Sequence, residues 1–182
     1  LQESRLNKAQ NQMGSQQRIQ SLRDDPLAAG HLVRYQSYAS RVDQFKHNAQ
    51  TLTDRFVYTE GYINNSLQIM QRVRELAVTG ANGVYQKEDM QNMASEVNEL
   101  LKELIQNANA VSPDGTSLFA GTRTNRKAFD VSMGMVEGSA EALISKVRYN
   151  GTNDTNSVEI DENAYMNIDT NGSRIFWAEN QR

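Results

Sequence analysis

The sequence predicts an α+β protein: an elongated antiparallel long-helix (coiled-coil-like) bundle carrying a small β-rich domain. Three observations predict it. Pro26 and Pro113 bracket a long stretch without proline, and a chain free of proline's missing donor and ring clash can stay helical for many turns. Inside that stretch apolar side chains recur at steps of three and four, as they do on a helix with one buried face. After Pro113 short apolar pieces alternate with polar clusters and Asn-Gly pairs, a pattern of strands and turns. The chain therefore divides into a helical domain over residues 1–123 and a β-rich domain over 124–182.

The elements follow in order. Leu6, Ala9 and Met13 fall at helical spacing before Gly14-Ser15, giving a short helix over about residues 1–13 and then a loop. Asp24-Asp25-Pro26 suits a helix start, because a carboxylate accepts from free backbone N–H groups and proline fits the first turn. The long helix is expected over about residues 25–80. Its stripe is Tyr35, Tyr38, Val42, Phe45, Ala49, Leu52, Phe56, Thr59, Ile63, Ser66, Met70, Val73 and Ala77, apolar except at Thr59 and Ser66. At 1.5 Å per residue such a helix spans roughly 80 Å. No single globular core is that long, so other long helices or neighbouring subunits have to bury the stripe.

Ala81-Asn82-Gly83 is a stop signal, since Asn and Gly tolerate the left-handed backbone that ends helices. A further helix over about residues 87–111 carries Met90, Met93, Val97, Leu100, Leu104, Asn107 and Val111, and a short connection folds it back antiparallel. Its start lacks a Ser, Thr or Asp cap. Phe45, Leu52, Phe56, Ile63, Met70, Leu100 and Leu104 are the expected seam of the bundle, each large-to-alanine change costing about 2–5 kcal/mol. In the β-rich part the expected strands are Ser117–Thr122, Lys146–Tyr149, Ser157–Ile160, Ala164–Ile168 and Arg174–Trp177. Asn150-Gly151 and Asn171-Gly172 are the hairpin-like turn signals between them.

Composition narrows the function. The 182 residues carry 19 Lys and Arg against 22 Asp and Glu, a net charge of -3, and no cysteine. That excludes disulfides, cysteine-ligated metals and thiol chemistry, and it argues against a nucleic-acid partner, which selects a basic surplus. No apolar run reaches the roughly 18 residues a membrane-spanning helix needs. The chain opens on Leu1 without a signal segment and reads as a trimmed piece of a longer protein.

The search for chemistry yields little. His31 and His47 would lie roughly 24 Å apart along one helix, too far to share a metal. Asp24 and Asp25 are accounted for by the helix start. Asn167-x-Asp169-x-Asn171-Gly172 resembles the opening of a calcium loop, but the closing bidentate carboxylate falls on Ala178, with Glu179 one residue late, and a plain turn is favoured. Neither a phosphate loop nor a serine nucleophile elbow occurs. Arg72-Val73-Arg74-Glu75 sets Arg72 and Glu75 together at i, i+3 on the outer face, with Arg74 bordering the seam. A solvated salt-bridged face is the plainer explanation; a subunit-contact patch in which charge supplies register is the other.

Here the residues become recognisable. Gln71-Arg72-Val73-Arg74-Glu75-Leu76-Ala77-Val78-Thr79-Gly80-Ala81-Asn82-Gly83 and, upstream, Arg18-Ile19-Gln20-Ser21-Leu22-Arg23-Asp24-Asp25-Pro26-Leu27-Ala28-Ala29-Gly30 resemble the two signature blocks of the flagellin superfamily. Asp25-Pro26, together with Asp114-Gly115-Thr116-Ser117-Leu118-Phe119-Ala120-Gly121-Thr122-Arg123-Thr124 and then Phe129, is similar to its hook-associated branch at the hook–filament junction. The resemblance implies assembly and not catalysis. Members leave the cell through the flagellar type III apparatus and polymerise outside it, without cofactor, metal, nucleic acid, membrane or small-molecule substrate. The partners implied are a preceding hook-associated protein 1, flagellin and copies of the chain itself. Arg72, Arg74 and Glu75 would be subunit-contact residues, as that stretch faces adjoining subunits in the family. The alternative is a filament flagellin subunit, with recognition by an innate immune receptor through the same stretch. A hydrolase or calcium-binding adhesin built on the β-rich end is a third reading, from a different class.

Overall fold

The computed structural model describes all residues except 1–5, 7–8, 11–12, 15–25, 84, 136–141 and 178–182. The expected helix over 1–13 and the loop after it fall largely outside the described residues. The fold is α+β, a long helix pair with a small antiparallel sheet region. The chain forms two compact units, Leu1–His47 and Asn48–Arg182.

Helix α1 runs Pro26–Ala81. In the first unit its side chains are almost all exposed, Tyr35, Tyr38 and Val42 included. His31 stacks on Tyr35 at 6.4 Å between ring centroids, and the Arg41 guanidinium lies 5.8 Å from the Tyr38 ring centre. The helix ends where Asn82 N–H donates to Thr79 O at 3.3 Å and Gly83 takes a φ of 68°, a left-handed residue that turns the chain out of the helical path.

Helix α2 runs Lys87–Ala108. Its cap comes from inside the helix: the Gln86 backbone N–H donates to Asp89 Oδ2 at 3.2 Å, the returning half of a capping box. Glu88 and Asp89 in the first turn also oppose the positive end of the helix dipole. Arg72 meets Glu96, Asn65 meets Asn107, and Gly80 lies nearest Met90 and Met93. Residue numbers rise on one helix as they fall on the other, so the pair is antiparallel.

The buried positions of α1 in the second unit are Leu52, Arg55, Thr59, Ser66, Ile69 and Leu76, with Tyr62 and Val73 partly buried between them. They keep the steps of three and four but follow 52, 55, 59, 62, 66, 69, 73, 76, one residue off the predicted stripe at every second place. Of the expected seam residues Leu52 is buried, and Phe45, Ile63, Leu100 and Leu104 are partly buried. Phe56 is 38% and Met70 52% exposed. The hydroxyls of Thr59 and Ser66, the two polar breaks in the stripe, donate to the carbonyls of Arg55 and Tyr62 at 2.9 and 2.7 Å. That back-bonding lets a polar side chain sit buried on a helix.

The deepest core lies elsewhere, in the segment that follows α2. Leu118 and Phe119 are the largest fully buried side chains; with Ala108, Ala110, Ala120, Ala128 and Phe129 they form one cluster, on which Tyr62, Ile63, Val147, Tyr149 and Phe176 pack. Phe176 meets Phe119 and Phe129 edge-on at 5.2 and 5.7 Å, a favoured aromatic geometry. The Asn109 side chain accepts from Phe129 N–H at 2.8 Å and donates to Phe129 O at 2.9 Å, imitating a strand partner.

Two separate antiparallel hairpins complete the unit. Strands β1 (Phe129–Met135) and β2 (Ala142–Tyr149) pair from Phe129↔Tyr149 to Met135↔Ala142, with an irregularity at Ser132/Met133. Strands β3 (Ser157–Asp161) and β4 (Ala164–Asn167) close through Glu162-Asn163. Asn163 takes a φ of 61° there, which Asn tolerates better than most residues. Asn150-Gly151 and Asn171-Gly172 are not the hairpin turns. Gly151 lies under the Tyr149 ring, and Asn171 forms an isolated bridge with Ala120. Ser117–Thr122 is no regular strand either, and Ser173–Trp177 is a π turn.

Candidate functional site

Two polar constellations stand on α1. Arg72 is half-exposed and reaches across to α2, where its Nε donates to Glu96 Oε1 at 2.7 Å; its Nη1 lies 3.3 Å from Glu75 Oε2. The hydrogen bond to Glu96, more than its charge, raises the guanidinium pKa above its ordinary value, and Glu75 adds to the effect. Arg74 lies on the far side of the helix, where Gln71, Arg74, Glu75, Val78 and Thr79 line one shallow groove. The expected pairing of Arg72 with Glu75 at i, i+3 on an exposed face is present, but Arg74 does not border the seam. The face toward α2 carries Ile69, Val73, Leu76 and Gly80, and it is Arg72, on the flank of that face, that also reaches Glu96. Glu75 stands between the two arginines. Position 74 thus meets solvent, while position 72 is committed to the helix pair.

The second constellation was not visible in the sequence. Arg55, 9% exposed, donates from Nη1 to Thr116 Oγ1 and from Nη2 to Ser117 O, both at 3.0 Å. The same Nη2 lies 3.5 Å from Asp169 Oδ1, whose side chain is 3% exposed. Asp169 Oδ2 accepts from the backbone N–H and the side-chain amide of Asn156 at 3.0 and 2.8 Å. One guanidinium thereby ties α1 to the turn after α2 and to the turn after β4. Asn171 Oδ1 accepts from Ser173 N–H and hydroxyl, and its amide donates to Asn153. The oxygens of the calcium-like stretch are therefore turned onto protein partners: Asp169 onto Arg55 and Asn156, Asn171 onto Ser173. Position 178, where a closing ligand would stand, lies outside the described residues. The signal that could have found Arg55 is its spacing: it falls three residues after Leu52 and four before Thr59, inside the buried face.

Among the described residues no cluster of three His, Cys, Asp or Glu side chains could hold a metal, and no helix is long and apolar enough to cross a membrane. His31 and His47 sit on separate turns of α1. Arrangements of this kind join elements and present faces; they define a structural protein.

Comparison with known proteins agrees. Residues 2–124 match the family model of the bacterial flagellin N-terminal helical region, and the chain belongs to that family. Among curated proteins it is 30% identical over 116 residues to flagellin FlaB1 of Treponema pallidum, covering 64% of this chain and 41% of that one. It is 25% identical over 136 residues to flagellar hook-associated protein 3 of Escherichia coli, covering 75% and 43%. The crystal structure of Xanthomonas campestris FlgL superposes with a TM-score of 0.65 at 27% identity, over 78% of this chain and 42% of that one. The flagellar junction protein FlgL of Legionella pneumophila shares the fold at 21% identity, with a TM-score of 0.61 over 82% and 42%. The chain spans about two-fifths of the length of the curated relatives it matches. Its curated relatives include both flagellins and hook-associated protein 3.

Proposed function

We propose that this chain is part of an extracellular adaptor at the hook–filament junction of the bacterial flagellum, built to assemble and without catalytic activity. The observation that supports the reading is the extent of likeness. The match to hook-associated protein 3 covers 136 residues, 75% of this chain, whereas that to FlaB1 covers 116 residues, 64% of it. The partners would be copies of itself, hook-associated protein 1 on the hook side and flagellin on the filament side, after export by the flagellar type III system. Phe45, Leu52, Phe56, Ile63, Met70, Leu100 and Leu104 would serve helical packing, some within the chain and some against neighbours. Arg74 and Glu75 would meet an adjoining subunit directly, and Arg72 would set the helix pair that presents them. Filament flagellin is the second reading, favoured by the identity to FlaB1. Deleting the gene separates the two. A junction adaptor leaves hooks in place while flagellin accumulates in the medium; a flagellin leaves capped hooks and no shed flagellin.

A further inference from the structure

The turn between the buried core and β1 carries Arg123, Arg126 and Lys127 within a few residues, all exposed. With Asp130 and Asn150 they line one cleft of about 400 Å³. Arg123 is anchored by donating to Asn150 O at 3.2 Å, and the cleft's single carboxylate, Asp130, is held by the Asn150 side-chain amide. Among the described residues, no ion pair engages Arg126 or Lys127. Three cations gathered around one engaged carboxylate leave a net positive cleft, a field that attracts an anionic group.

The complementary charge is on α2. That helix holds Glu88, Asp89, Glu96, Glu99 and Glu103 against Lys87 and Lys102. Glu99 and Glu103 are exposed one turn apart on one side, a like-charge i, i+4 pair that destabilises an isolated helix; Lys102 relieves Glu99. Two carboxylates about 6 Å apart suit a guanidinium and an ammonium on adjacent residues, and arginine in particular takes carboxylates in a fork. We propose that the Arg123–Lys127 cleft of one copy receives the Glu99–Glu103 face of α2 from a second copy. The two patches are different surfaces of one chain, so the contact is heterologous and can repeat from copy to copy around a ring. The inference rests on the self-assembly proposed above.

The test uses the full-length protein. Isotopically heavy and light copies are mixed and treated with a zero-length carbodiimide, which joins only an amine and a carboxylate already in contact. A heavy–light link between Lys127 and Glu99 or Glu103 is expected; links confined to single copies overturn the proposal. In parallel, R126E/K127E and E99K/E103K are each expected to weaken association about three- to thirtyfold in sedimentation at low salt, and the combined variant to recover most of it. If the combined variant is as weak as the two losses multiplied, the contact is refuted. A charge-reversed protein that associates as well as the parent sinks this contact and leaves the assembly reading standing. A parent protein that stays monomeric at every concentration sinks both. Helicity by circular dichroism confirms that each variant folds.

Discussion

Removing the Arg55 guanidinium tests how the helix pair is joined to the β-rich segment. In Arg55→Met the side chain keeps an unbranched apolar stem and loses two hydrogen bonds, to Thr116 and Ser117, and the ion pair with Asp169. The Asp169 carboxylate, 3% exposed, keeps Asn156 but loses its cation. Breaking one side of a buried pair costs about 3–5 kcal/mol, most of it the burial of the charge left behind. With an m-value of about 2 kcal/mol/M, the urea midpoint of this unit falls by about 1.5–2.5 M. Trp177 is the only tryptophan and follows Phe176 of the core, so its fluorescence reports this unit's unfolding. The double variant Arg55→Met/Asp169→Leu removes both charges and is expected to recover at least half of the loss, because an apolar pair of similar volume satisfies the site. A single variant within about 1 kcal/mol of the parent would refute the reasoning, as would a double variant no better than the single.

Other outcomes follow from the same structure. Leu118→Ala, at a position with no exposed surface, costs about 3–5 kcal/mol in the same urea assay; Met70→Ala, half exposed, costs less than about 1 kcal/mol. Gly121→Ala destabilises, because φ is 62° and the new methyl meets the Thr152 carbonyl. Gly61→Ala, in open space within α1, stabilises by up to about 1 kcal/mol, and thermal melts of the pair show opposite signs. The Thr116 hydroxyl and then its backbone N–H hold the Asp114 carboxyl below its ordinary value of 3.8. A depressed carboxyl stabilises the fold above its unfolded pKa and loses that contribution as pH falls through the folded one, so the effect is confined to pH below about 4. Thr116→Val moves the Asp114 titration part of the way back up by NMR and weakens that acid-side dependence, the backbone N–H of position 116 keeping the rest.

The helical half was legible because its signals are local. The proline gap, the Ala81-Asn82-Gly83 stop and the steps of three and four each act within a turn or two of chain, and α1 and α2 follow from them. What local pattern could not give was the face. Phe56 outranks Arg55 on any hydropathy scale, so the predicted stripe runs through Phe56; at the other alternate places it takes Ile63, Met70 and Ala77 where the inward face carries Tyr62, Ile69 and Leu76. The structure runs it through Arg55, because a guanidinium with three protein partners can be buried and a methionine can be left out. Strand β1 was missed although its signal is plain: Phe129, Val131, Met133 and Met135 alternate with Asp130, Ser132 and Gly134, a period of two. The pairing of Asn109 with Phe129 and of Arg55 with Asp169 joins residues 20 and 114 positions apart; no window along the chain contains both partners.

The position of the core changes what the long helix is for. A helix pair held only by its seam would place its largest buried side chains there, yet Leu118 and Phe119 sit in the segment between α2 and β1. The seam itself contains Arg55, Thr59 and Ser66; the two hydroxyls are satisfied by carbonyls of α1 itself, and Arg55 alone of the three pairs outside the helix, with Thr116, Ser117 and Asp169. Register is thereby set by Arg55 against the core segment and by Arg72 against Glu96, while cohesion comes from the Phe119–Phe129–Phe176 cluster. Helix α1 then keeps a second strip, through Phe56 and Met70, that this chain's own fold does not require. Met70→Glu is the decisive case. It should leave the urea midpoint within about 0.5 M of the parent, whereas Ile69→Glu, one residue away and 5% exposed, should buy a buried unpaired charge and unfold the pair. Equal losses at the two positions would show that the strip through Met70 belongs to the fold after all.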